Sequence, residues 1–285
     1  MKIMCIPFLG GIYMHIHKKS VMYTILCTVL FLSVGILSGF LNESLDIRNL
    51  PELSSEEGRE QFRQFDVAAE YLAGQDSFGK LAEDYLYHNG SLNGDSSQCP
   101  RFSWYHFLMT EKQKEPYEKA FGVILSDVKC FPVQKDPAGK ERLNFDDSWG
   151  GARSFGGERH HEGTDIMPSN KERGYFAVVS VSDGVVEKKG WLKLGGYRLG
   201  IRAPHGAYYY YAHLDHYAEG IEEGTEVKAG QIIGYMGDTG YGEEGTRGEF
   251  AVHLHFGIYL TLDGEEVSVN PYQVLRYLRD FCEEG

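Results

Sequence analysis

Residues 249–260 read EFAVHLHFGIYL. Side chains alternate across a strand, so the stretch predicts an apolar stripe of Phe250, Val252, Leu254, Phe256, Ile258 and Leu260 facing a core. Ala251, His253, His255, Gly257 and Tyr259 then share the opposite face. Two histidines two residues apart, beside small neighbours that leave room above them, suit a metal or acid/base site. Ordinary structural histidines are the competing reading.

Working outward, the chain from about residue 131 alternates short β-type runs with glycine: YFAVVSVSDGVVEKKGWL, YRLGIRA, AYYYYAHL and QIIGYMG. Turn signals separate them at Ser182-Asp183-Gly184, Pro204-His205-Gly206 and Asp263-Gly264. The spacing predicts a mainly β domain over 131–285, an antiparallel sandwich or barrel-like core closed by a short helix from Asn270 to Cys282.

Two further elements carry chemistry. His161-Glu162-Gly163-Thr164-Asp165 sets a histidine and a carboxylate four residues apart across a glycine, so both side chains can meet one ion. Alone it reads more readily as a turn than as a site, with His160 as a register alternative. In AYYYYAHL, alternation groups Tyr209, Tyr211 and His213 on one face and Tyr208, Tyr210, Ala212 and Leu214 on the other. A lone histidine in such a strand reads first as packing. His205 and His216 sit in turn-like contexts and receive no role.

Taken in order, FDDSWGGARSFGGERHHEGTD at 145–165, YAHL at 211–214, EGTEVKAGQIIGYMGDTG at 223–240, HLHFG at 253–257 and Val269-Asn270-Pro271 closely resemble the LytM/lysostaphin-type zinc metallopeptidases over about 131–275. The resemblance implies one Zn²⁺ held by His161, Asp165 and His255, with His213 and His253 assisting catalysis, and peptidoglycan peptide cross-links as substrate. All five positions are filled. A Glu-rich insertion, Gly242 to Glu249, departs from the pattern and bears on the shape of the groove. Glycine-rich stretches at Gly195-Gly196 and 237–242 predict close approach of a narrow peptide. The alternatives are a catalytically silent domain of the same type that binds peptidoglycan or a partner protein, and a biotinyl- or lipoyl-type carrier suggested by residues 227–234. The paired histidines have no purpose in a carrier.

The rest of the chain bounds location. A formal net charge of -13 without a basic cluster argues against nucleic acid. Residues 21–41, VMYTILCTVLFLSVGILSGFL, are uncharged and long enough to cross a bilayer as a helix. Lys18 and Lys19 precede the run and Glu43 and Asp46 follow it, which predicts a cytoplasmic tail over 1–20 and a C-terminal region outside the cell. A cleaved signal peptide is the competing reading, against which no clear small-residue cleavage site follows. Residues 42–98 predict a helical stalk or accessory region and 99–130 a linker region with a helix from about Thr110 to Leu125. Cys99 and Cys130 flank that segment and suit a disulfide in an oxidising compartment or two unpaired thiols.

Overall fold

The computed structural model describes residues 9–48, 51–94, 108–136, 138–154 and 157–282. The chain divides into two units, residues 1–50 with 100–109, and residues 51–99 with 110–285. In the first, helix α1 spans Leu9–Arg48. Its Ser20–Asn42 section is 23 residues long and apolar enough to cross a membrane by length and composition. At 1.5 Å per residue that section covers about 35 Å, against a hydrocarbon layer of about 30 Å. The Cys99–Cys130 pairing lies outside the described residues, because Cys99 is not among them.

The second unit opens with three short helices in place of one stalk: α2 (Glu56–Arg63), α3 (Ala69–Ala73) and α4 (Phe78–Tyr87). Helix α5 (Glu111–Leu125) follows, and α6 (Tyr272–Phe281) closes the chain. Local chemistry sets the boundaries. Ser55 and Ser77 cap α2 and α4 by accepting from Gly58 N and Lys80 N, and Thr110 with Gln113 forms a capping box on α5. The interhelical space is filled by aromatic rings, with Phe62 edge-on to Phe65, Tyr85, Tyr117 and Phe121 at centroid distances of 5.2–6.4 Å. This cluster belongs to the same folded body as the sheet: Arg63 O accepts from Asn270 N at 2.8 Å, and Tyr209 Oη donates to Ile124 O at 3.0 Å.

Among the described residues the strands, all paired antiparallel, are β1 (Leu143–Asn144), β2 (Ala152–Arg153), β3 (Arg159–His160), β4 (Thr164–Pro168), β5 (Ala177–Val179), β6 (Gly184–Leu192), β7 (Gly196–Arg202), β8 (Tyr208–Tyr217), β9 (Glu226–Val227), β10 (Ile232–Met236), β11 (Leu254–Leu262) and β12 (Glu265–Val269). The main sheet runs β1-β4-β11-β8-β7-β6-β9, with β12 beside β11 and β10 joining β8 to β5, while β2 and β3 form a separate hairpin. Asp263 and Gly264, both at positive φ, make the β11–β12 turn. One face of the central strands, including Leu199, Ile201, Tyr209, Tyr211, Phe256 and Ile258, is buried in the core. The other face of β4, β11 and β8 floors an open cleft.

Two expected faces are corrected. Strand β11 begins at Leu254, so Phe250 precedes the pleat and turns to the cleft, where its ring stands 4.6 Å from that of His213. His213 itself adopts a φ of 62° at a register shift between β7 and β8. That irregularity adds a residue to β8, as a β-bulge does. It swings His213 onto the cleft side with Tyr208, Tyr210 and Ala212, and returns Leu214 to the core.

Candidate active site

The five histidine and aspartate side chains singled out by the sequence line one cleft of about 970 Å³. Each arrives by a separate backbone device. Asp165 and His255 are direct cross-strand partners in the β4–β11 ladder, which sets their side chains side by side. His161 follows β3 and is clamped to the turn before β2 by two backbone bonds, His161 N to Gly151 O and Gly150 N to His161 O, each 2.8 Å. His253 N donates to Gly237 O at 3.0 Å and His213 N to Gly195 O at 2.8 Å. His255 lies opposite Ala212 on β8, where a small side chain leaves the imidazole room. Gly163 serves the same end: a Cβ there would stand 2.6 Å from His255 Nε2 and 2.5 Å from Phe256 O.

Three of these groups converge on a point. His161 Nε2 lies 3.0 Å from Asp165 Oδ1 and 2.9 Å from His255 Nδ1, and His255 Nδ1 lies 3.0 Å from Asp165 Oδ1. Proton positions decide what such a triangle means. His161 Nδ1 is 3.0 Å from Ser148 O, and a carbonyl can only accept, so Nδ1 carries the hydrogen and Nε2 presents a lone pair. A lone pair then faces a carboxylate oxygen, an arrangement that a cation between them would favour. Two imidazoles and a carboxylate are also the donor set of a three-ligand zinc site with an open position, so the residues present fit the metal. His160 stays outside the triangle; its Nδ1 is 3.0 Å from Gly150 O and its side chain is exposed.

The same proton logic applies to the other two histidines. His213 Nδ1 is 2.8 Å from Thr239 O and His253 Nδ1 is 2.7 Å from Ala251 O, so in both rings Nε2 is left as an acceptor. The rings stand 4.6 Å apart, and His253 Nε2 lies 3.7 Å from Asp165 Oδ1. Burial, reinforced by the charges of His253 and His255, holds the His213 imidazole well below its ordinary pKa. Burial likewise lowers His253 and His255, against the pull of Asp165. Burial alone would raise the Asp165 carboxyl, but the adjoining His161 and His255 imidazoles outweigh it and keep the group far below the carboxylate range. At neutral pH His213, His253 and His255 therefore stand as neutral imidazoles beside one carboxylate.

Three features are not legible in the sequence motifs. Arg153 bonds the second oxygen of Asp165 at 2.8 Å, which fixes the carboxylate plane. Tyr241 and Phe250, at either end of the 242–249 insertion, line the cleft beside His213. Of the glycines expected to admit a peptide, Gly195 does line the cleft, whereas Gly237 and Gly240 are packed. A Cβ on either would lie 2.5 Å from backbone, Asp215 N or Leu194 O respectively. Their part is to seat the segment whose Thr239 carbonyl orients His213.

Residues 159–271 match the family model described as Peptidase family M23. The chain is 43% identical over 158 residues to the L-Ala--D-Glu endopeptidase of Bacillus subtilis (strain 168), covering 55% of this chain and 46% of that protein. It is 38% identical over 101 residues to lysostaphin of Staphylococcus simulans, covering 35% and 19%. The chain thus spans less than half the length of the curated relatives it matches. Among solved structures it is similar to lytM of Ruminococcus gnavus, with a TM-score of 0.64 and 42% identity over 77% of this chain and 90% of that one.

Proposed function

The chain belongs to peptidase family M23, and on that footing we propose that it is a zinc-dependent endopeptidase cutting peptide bonds of peptidoglycan at the outer face of the membrane. The convergence of His161, Asp165 and His255 carries this reading, because the His161 Nε2 lone pair faces Asp165 Oδ1 at 3.0 Å and a cation held by the three would relieve their repulsion. When bound there, zinc supplies Lewis-acid polarisation of the scissile carbonyl and lowers the pKa of water at the site. Arg153 and the Ser148 carbonyl hold the ligands in orientation. His213 and His253, neutral and with Nε2 open to the cleft, take a proton from the attacking water and return one to the departing amine. The Thr239 and Ala251 carbonyls fix both rings and stabilise each once it is protonated.

The relative with the higher identity is named for an L-Ala–D-Glu bond, which makes a stem-peptide bond beside a glutamyl residue the target of choice. The apolar section of α1, with lysines before it and acids after, supports a single-pass anchor with an inside N-terminus. The test is release of new amino groups from peptidoglycan by wild type, His213→Ala, His253→Ala and chelated protein. The expected outcome is a loss of about 10²–10⁴-fold in either variant with metal content unchanged, and none released after chelation. Equal release from all four samples contradicts the proposal. A silent scaffold would release nothing even as zinc-loaded wild type.

A further inference from the structure

Arg198 stands on β7 across from the bulge that turns His213 into the cleft, between the register pairs Tyr197–Leu214 and Leu199–Tyr211. It lines the cleft, yet its Nη1 is shut off from water and meets no hydrogen-bond partner among the described residues. The neighbouring arginines are occupied: Arg63 bonds Ser268 O at 2.9 Å, Arg153 bonds Asp165 at 2.8 Å and Arg159 bonds the Tyr241 hydroxyl at 3.1 Å. The charge of Arg198 is felt instead by Tyr208, Tyr210 and Tyr217, phenols that burial keeps neutral. Among the described residues, the other cleft group with a buried, unpartnered atom is Trp149 Nε1, also a donor. Both unmet needs in the cleft are thus for an acceptor. Arg198 itself is half-exposed on the cleft, so the rest of its guanidinium is open to a ligand, and its planar fork matches a carboxylate that would also meet the unpaired Nη1.

A glutamyl residue in a peptide keeps one carboxylate whichever of its two carboxyls carries the chain. We infer that Arg198 binds the free carboxylate of an acidic residue flanking the scissile bond, so that the cleft selects acidic stem peptides over their amidated forms. This rests on the endopeptidase reading, from which the experiment separates it. Two non-cleavable analogues are compared, each with the scissile amide replaced by a ketomethylene, one bearing the glutamyl carboxylate and the other a carboxamide. Their Kd values are measured by calorimetry on the detergent-solubilised full chain as wild type, Arg198→Gln and Arg198→Lys. Wild type should prefer the carboxylate by about tenfold or more, as a charge-assisted bond gives. R198Q should bind both alike, and R198K, charged but without the fork, should keep part of the preference. Equal binding of both analogues by wild type, binding of neither, or a full preference surviving in R198Q overturns the inference. Cleavable versions of the pair, given to the zinc-loaded enzyme, test the endopeptidase reading independently. A binding preference without hydrolysis sinks that reading and leaves Arg198 its role; hydrolysis without preference does the reverse.

Discussion

His255 is held by its surroundings as tightly as it is by its strand. Gly163, in the middle of the H-x-x-x-D element, packs its bare Cα against that imidazole and the Phe256 carbonyl. Gly163→Ala would push a methyl to 2.6 Å from His255 Nε2 and 2.5 Å from backbone, and neither can retreat without distorting the donor triangle. The expected outcome is a metal affinity at least tenfold weaker in a chelator competition, of the size seen when the support of a ligand is lost, with folding retained by circular dichroism. Unaltered affinity would mean the triangle relaxes freely. At this scale His161, Asp165, His253 and His255 were legible because their spacing is local: alternation handles H-x-H, and one glycine lets H-x-x-x-D bend. The side taken by His213 was not, since a single left-handed residue inverts every alternation argument beyond it.

Helices α2, α4 and α5 share one aromatic knot, and Phe62 is its centre, fully buried and touching four rings. Phe62→Ala should cost about 3–5 kcal/mol of stability by the lost transfer and cavity energies, read as a lower urea midpoint. Because Arg63, the next residue, anchors β12 through Ser268 and reaches the cleft, the same variant should unfold sheet and helices in one transition. Two separate transitions would contradict the single packed body. The apolar spacing of residues 62–72 made this region legible as helical. What it hid was the folding back, which depends on left-handed turns at Phe65 and Asn89 and on partners some 200 residues away, such as Ser268 and Gln273. The β domain was legible from its glycine-punctuated strands, but the pairing order, with β11 seated between β4 and β8, is set by long-range packing.

For the whole molecule, the proposed single-pass topology rests on the apolar section of α1 and its flanking charges. Protease added to intact cells should digest the region after residue 42 and spare a tag on the N-terminus; protection of the C-terminal region would contradict both the orientation and access to the wall. A net charge of -13 leaves long-range attraction to the anionic wall out of the account. Under the proposed function, recognition falls to the cleft lined by His161, Asp165, His213, His253, His255 and Arg198. Hydrolysis of a stem-peptide bond by this cleft is read out by mass spectrometry of soluble fragments released from purified peptidoglycan by the zinc-loaded protein. The expected fragments are heavier than their uncut parents by one water in total, each pair carrying a new amino terminus on a glutamyl residue. Intact muropeptides alone, or fragments cut in the glycan strand, would contradict it.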